Sequence, residues 1–317
     1  MTVPPSPITV VLRTGLKKGL DGYLWLLKIL VPISFLTMLL VYSGWVNRLD
    51  VLLNPIMGFL GLPSVAALPL IVGLLTGIYG GIAAMAPLSL NTAQVTLITV
   101  FMLIAHNLPQ ESAVQAKSGS SFIKANAIRL GAAIITVALM AQILQSETAP
   151  VIAASQVATP QPTLSIAIGL WAKDTLALCL KIFLILVPLM VILEMLKAYH
   201  VIGKIVRPME PMLRLLGVER RLGLLWLTAA LFGLAYGSAV IVEEAGEGEF
   251  SESELERLHA SIGINHAVIE DPVLFIPFGV HPFWLWVPRL VAAVIAVQVV
   301  KGLQKFGPKK RSESAIP

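Results

Sequence analysis

Leu74-Leu75-Thr76-Gly77-Ile78-Tyr79-Gly80-Gly81 decides how this chain is read, because a second version of it occurs further on. Leu231-Phe232-Gly233-Leu234-Ala235-Tyr236-Gly237 repeats the pattern 156 residues later (233 − 77). Gly73, Gly77 and Gly81 stand four apart, as do Ala229, Gly233 and Gly237. On a helix this spacing lines small residues along one face, where a second backbone can approach closely or the helix can hinge. The offset extends outward from the glycines: Pro32 pairs with Pro188, Arg48 with Lys204, Pro55 with Pro211 and Gly61 with Gly217. Beyond a four-residue insertion it becomes 160 (266 − 106), pairing His106 with His266, Glu111 with Asp271, Arg129 with Arg289 and Ala132-Ala133 with Ala292-Ala293. The chain is a tandem duplication.

Composition says where the two units reside. Hydrophobic residues make up 56% of the 317 and charged residues only 13%, with a mean hydropathy of +0.84. Soluble domains carry about 25% charged residues, so these values describe an integral membrane protein. The single cysteine, Cys179, excludes a disulfide framework. A net charge of +5 would suggest nucleic acid in a soluble protein, but here the basic residues flank apolar segments and set orientation.

In chain order, residues 1–19 are expected to be a cytoplasmic N-terminal segment, proline-rich at first and then basic. Residues 20–145 form the first repeat, 146–170 an external linker, 171–303 the second repeat and 304–317 a basic cytoplasmic tail. Within the first repeat, spans are expected at Leu20–Trp45, Pro63–Ala86 and Phe122–Leu144, with a short interfacial helix over Asn47–Leu60. In the second, Leu176–Leu196, Leu222–Val242 and Phe283–Val300 take those places, and Ala198–Arg221 is the basic interfacial stretch. Asn91–Ala105 is the difficult segment. At 1.5 Å per residue it reaches about 23 Å, short of a hydrocarbon core of roughly 30 Å.

If that segment and its counterpart are re-entrant, each unit has three spans and the units are inverted. The termini, Lys117 and Lys197–Arg221 then face the cytoplasm, and the linker and glutamate-rich 243–256 loop face out, as the positive-inside rule favours. The fold expected is therefore an all-α polytopic membrane protein. It has two inverted repeats, each of three spans plus one re-entrant segment with interfacial helices, in a bacterial-type cytoplasmic (inner) membrane.

The stretch Pro55…Gly61-Leu62-Pro63, the Thr76–Gly81 run and the turn His106-Asn107-Leu108-Pro109-Gln110-Glu111 resemble the gate-domain, or nucleoside-recognition, family. Its members occur in concentrative nucleoside transporters, the membrane part of the bacterial ferrous-iron transporter and spore maturation proteins. The resemblance covers nearly all of Leu20–Leu303 as two gate-like units, and it implies transport. The chain departs from the iron transporter in lacking a GTPase domain and any cysteine in a gate motif.

Two clusters carry the chemistry: His106, Asn107 and Glu111, then Asn265, His266, Glu270 and Asp271. Ionisable groups at membrane depth are expensive and tend to line a pathway, and Pro109 and Pro272 interrupt regular helix beside each cluster. These residues are the expected substrate- or ion-binding set. Tyr79 and Tyr236 are secondary contact candidates, and Gly73, Gly77, Gly81, Gly233 and Gly237 serve packing or hinge roles. Arg129 and Arg289 are expected to snorkel to the interface, with pairing to Glu111 and Asp271 as the alternative.

The function expected is a transporter or channel-like protein for a small polar or charged solute, nucleoside-like or ionic, working between inverted repeats. No GxxxxGK[ST] motif is present, so it is not driven by nucleotide hydrolysis in that way. One alternative is a membrane subunit docking a partner through Lys204, Arg207, Arg214, Arg220 and Arg221; another is an intramembrane metal-handling protein. An enzymatic role is not expected. Neither is a cofactor, though a coupling cation or proton suits the histidine–carboxylate pairs. The expected partners are the lipid bilayer, a small solute and either a second copy or another membrane subunit, with no nucleic acid.

Overall fold

A computed structural model describes residues 7–45, 50–144, 162–199, 211–219, 222–231, 233–234 and 250–306. Tyr236, Gly237, Lys204, Arg207, Arg220, Arg221 and residues 243–249 lie outside that set. The described elements are helical, with no strand among them. Among the described residues, five helical stretches are long and apolar enough to cross a membrane: Ile8–Tyr42, Thr92–Lys117, Phe122–Leu144, Leu164–Ala198 and Pro282–Lys305.

The two longest helices are duplicates of each other. Helix α1 spans Ile8–Tyr42 and carries Pro32 inside it. Its equivalent starts at Leu164, inside the segment expected to be linker, runs to Ala198 and carries Pro188. The two pack antiparallel. Gly15 and Gly19 lie against Val191 and Val187, so closely that a Cβ on Gly15 would stand 2.7 Å from the Val191 Cα. Further along, Tyr23 Oη donates to the Cys179 carbonyl at 3.1 Å, and Phe35 meets the Trp171 ring at 4.9 Å. Tyr23 and Cys179 are themselves equivalents (179 − 23 = 156) and mark the midpoint of the crossing. Leu24, Leu36, Leu176, Leu180 and Leu184 remain exposed on the outer faces, as lipid-facing helices require.

Helix α2 covers Asp50–Phe59, and the chain then bends by 84° into Ser64–Thr76. Helix α3, Ala67–Thr76, ends at Gly77, and α4, Ile78–Met85, begins there. Gly77 sits at φ 98°, ψ −178°, a conformation that only glycine adopts without strain. The chain doubles back at this point. A Cβ on Gly81 would meet the Gly73 Cα at 3.1 Å and the Pro69 carbonyl at 3.4 Å, whereas twelve residues of straight helix would separate Pro69 and Gly81 by about 18 Å. The single span expected over Pro63–Ala86 is therefore a helical hairpin. Its legs approach this closely because Gly73 and Gly81 present no side chains, and Met102 packs against both.

The next segment departs from expectation in the opposite sense. Helix α5, Thr92–Ala105, breaks at His106-Asn107 and continues as α6, Leu108–Lys117. Taken together, the 26 residues reach the length of a crossing; the re-entrant reading stopped at Ala105 and left α6 uncounted. Helix α7, Phe122–Leu144, follows. In the second unit a 3-10 turn and helix occupy 222–231, and α8 denotes the Leu164–Ala198 helix above. Then come α9, Glu252–Ile264, the short α10, Glu270–Val273, and α11, Pro282–Phe306.

Contacts fix which helix ends lie together. Gln115 and Ser118 of the first unit bond His259, and Gly119 lies against Leu255, so α6 runs antiparallel beside α9. Lys124 pairs with Glu256 at 2.8 Å, and Gln304 Nε2 donates to the Ser253 carbonyl and to Glu256. The end of α6, the start of α7, the start of α9 and the end of α11 thus share one end of the molecule. This corrects the expectation that the glutamate-rich loop lies opposite Lys117 and the basic tail. Its described part, Glu252–Glu256, sits beside them.

Candidate functional site

Each unit builds its half of the site with the same local devices. Helix α5 opens with a capping box: Asn91 accepts from the Gln94 amide, and the Gln94 side chain accepts from Asn91. Ser251 and Glu254 do the same for α9, at positions 160 residues on. Such caps satisfy otherwise unpaired amides at the start of a helix.

At the other end of each helix stands a histidine. His106 Nδ1 donates to the Met102 carbonyl at 2.8 Å, and His266 Nδ1 to the Ile262 carbonyl at 2.9 Å. A carbonyl only accepts, so Nδ1 carries the hydrogen in both rings and Nε2 is turned to the interior. The chain then passes through a left-handed residue in each unit, Asn107 at φ 48° and Ala267 at φ 44°. Neither is glycine, so both breaks hold backbone strain of the kind that concentrates at functional sites. The Asn107 amide donates to the Gly73 carbonyl at 2.9 Å and that of Ala267 to the Ala229 carbonyl at 3.4 Å, tying each break to the chain segment that precedes it.

The two arginines complete the scaffold and overturn the snorkelling expectation. Arg129 is 1% exposed and Arg289 0%. Arg129 donates through Nε to the Ile104 carbonyl at 3.1 Å and through Nη2 to that of His106 at 2.8 Å. Arg289 repeats both bonds, to Ile264 at 3.1 Å and to His266. Each guanidinium therefore neutralises the carbonyl-bearing C-terminus of a helix that ends inside the protein. Both belong to the site, and for Arg129 the alternative of pairing with Glu111 holds at 2.6 Å. The available signal was their matched position within apolar helices, where an ionisable group points inward by default.

Across the divide the histidines meet, Nε2 to Nε2, at 3.3 Å. His106 Nε2 lies 3.2 Å from Glu111 Oε1 and 3.5 Å from Asp271 Oδ2, and His266 Nε2 lies 3.4 Å from Glu111 Oε2. Glu111 pairs with Arg129 at 2.6 Å. Glu270 accepts from Tyr79 Oη at 2.8 Å, so the hairpin of the first unit touches the broken helix of the second. Of the residues singled out in the sequence, His106, Glu111, His266 and Asp271 come together. Glu270 and Tyr79 adjoin them, while Asn107 turns aside to bond Gln110. Asn265 is buried as the cap of α9.

Residues 23–122 and 179–270 match the family described as "Gate: Nucleoside recognition", and the chain belongs to that family. The two matched stretches start at the equivalent residues Tyr23 and Cys179. The chain is also similar to the "Uncharacterized membrane protein YvoD" of Bacillus subtilis (strain 168), with 29% identity over 306 residues, covering 95% of this chain and 98% of that protein. No solved structure matches it. With its apolar helices, this is a membrane protein of the gate family.

Proposed function

We propose that the protein is a secondary transporter for a small polar or charged solute, nucleoside-like or ionic, whose site is the His106–Glu111–His266–Asp271 cluster. One observation carries the reading: equivalent groups from both units meet at 3.3 Å inside an apolar bundle. Ionisable clusters at membrane depth are costly to desolvate and mark pathways. Broken helices at the interface of two repeats are where secondary transporters place their sites.

In this reading the units are inverted repeats, each of three crossings and one re-entrant segment. The first unit's is the hairpin over residues 67–85, and the second's returning leg lies outside the described residues. The antiparallel packing of the equivalent helices α1 and α8 supports it. Arg13, Lys17, Lys18, Lys117, Lys124, Lys301 and Lys305 then mark the cytoplasmic face of an inner membrane, with both termini inside. Cysteines placed at Lys117 and Glu252 are expected to resist labelling from outside, and one at Gln156 to accept it. External labelling at Glu252 with Lys117 protected would break the arrangement.

The functional test is uptake into proteoliposomes of a panel of nucleosides, nucleobases and small cations, under an imposed ion gradient. Glu111→Gln and Asp271→Asn preserve shape and delete charge, and each is expected to lower uptake at least about tenfold. The double variant should lose less than the product of the two, since groups in one site do not act independently. Wild-type uptake in both single variants would remove the cluster from the transport path.

A further inference from the structure

We propose that this cluster is a binding site for a first-row divalent transition-metal cation, held by His106 Nε2, His266 Nε2 and Asp271 Oδ2. The inference rests on the reading of the cluster as the solute site and specifies the chemistry of what it accepts.

Geometry carries the argument first. One ligand atom from each of these three residues falls within 4.8 Å of the others. A tetrahedral ion with metal–nitrogen and metal–oxygen bonds of about 2.0–2.1 Å separates its ligands by about 3.3–3.4 Å. The two imidazole nitrogens stand 3.3 Å apart, and His106 Nε2 is 3.5 Å from Asp271 Oδ2. Both histidines are oriented from behind, since each Nδ1–H is spent on a backbone carbonyl. That is the outer-shell arrangement that aims a histidine lone pair at a metal. Two such lone pairs facing each other repel unless a cation lies between them.

Unsatisfied atoms and charge point the same way. Asp271 is 6% exposed, and its Oδ2 has no hydrogen-bond partner among the described residues, although it faces His106. Three carboxylates, Glu111, Glu270 and Asp271, stand against two guanidiniums. The C-termini of α5 and α9 add about half a negative charge each. With the carboxylates ionised, the sum is about two negative charges, which one dication balances. Imidazole with carboxylate suits zinc, cobalt, nickel or ferrous iron, and the set is too nitrogen-rich for magnesium or calcium. Glu111, held by Arg129 at 2.6 Å, stands next to the ligand set as a second carboxylate.

The test uses purified full-length protein in detergent, with Co²⁺ and Zn²⁺ as probes and Mg²⁺ and Ca²⁺ as controls. Elemental analysis after dialysis is expected to find one Co²⁺ per chain, with the intense visible absorption of tetrahedral cobalt. Zn²⁺ should raise the thermal midpoint. His266→Gln and Asp271→Asn should weaken Co²⁺ binding at least about tenfold. His259→Gln, a buried histidine outside the set, should leave it unchanged. Absence of Co²⁺ and Zn²⁺ binding to the wild type overturns the proposal, as does equal binding by the two ligand variants. If a variant fails to fold, the cobalt spectrum of the wild type decides, since a weak octahedral spectrum also refutes the site.

Transport is scored separately. Metal bound, with neither metal nor any other solute of the panel taken up into proteoliposomes, leaves the metal site standing and ends the transport reading. Nucleoside uptake that Asp271→Asn abolishes, without any metal binding, does the reverse.

Discussion

The two halves of the site share a scaffold, and their paired carboxylates, Glu111 and Asp271, differ by one methylene. Arg129 and Arg289 make the same pair of bonds to the same pair of carbonyls. In the first unit the carboxylate is Glu111, long enough to reach its arginine at 2.6 Å. In the second it is Asp271, which forms no ion pair with Arg289 among the described residues and lies 3.5 Å from His106 Nε2 instead. Glu111 is held by its arginine as well as facing both histidines, whereas Asp271 faces His106 with no arginine on it. Duplication supplied a symmetric frame, and the shorter side chain frees one arm of it for a ligand.

The largest test of that contrast removes the arginines. Arg129→Met strands a buried carboxylate as well as two carbonyls, so it is expected to destabilise the detergent-solubilised protein by about 3–5 kcal/mol. Arg289→Met strands only the carbonyls, and its loss is expected to be smaller by about 1–3 kcal/mol. Equal losses in denaturant titrations would mean that the Glu111 ion pair contributes nothing.

A second contrast sets the glycines of the two units side by side. A Cβ on Gly81 would fall 2.2 Å from Met102 Sδ, whereas one on Gly233 meets no described atom within 4 Å. Gly81→Leu therefore forces apart the hairpin legs and is expected to lower stability by about 1–3 kcal/mol through overpacking. Gly233→Leu, at φ 81°, should cost about 1–2 kcal/mol through left-handed backbone strain alone. The same loss from Gly233→Ala as from Gly233→Leu would confirm that crowding plays no part there. Of the glycines expected to serve packing or hinge roles, Gly81 is a close-approach position, and Gly77 and Gly233 are conformational ones.

The smallest effect on stability should come from restoring the missing methylene. Asp271→Glu gives the second unit the arm needed to reach Arg289, and stability should stay within about 1.5 kcal/mol of the wild type. Co²⁺ retention should fall at the same time, because the carboxylate turns from the histidines to the guanidinium. Unchanged retention would make the Glu/Asp difference incidental.

Much of this was legible in the residues. The 156- and 160-residue offsets identified the duplication, composition identified the membrane, and paired His and carboxylate residues identified the groups that meet. The capping boxes at Asn91 and Ser251 are equally readable, as Asn-x-x-Gln and Ser-x-x-Glu.

What the sequence determined by itself was which residues are equivalent and which are too polar to face lipid, because both follow from spacing and transfer energetics along one chain. Only the tertiary structure decided that Pro63–Ala86 turns back while Thr92–Lys117 runs on. Gly77 and His106 each announce a break, but a break carries no direction until something packs against it. At Gly77 the Gly73–Gly81 approach around Met102 folds the legs together. At His106 the Arg129 bonds and the neighbouring α9 hold the next helix onward. Burial of the arginines was undecidable for the same reason. A guanidinium can reach water by snorkelling or satisfy buried carbonyls, and the choice depends on whether two helix C-termini from distant parts of the chain end within its reach.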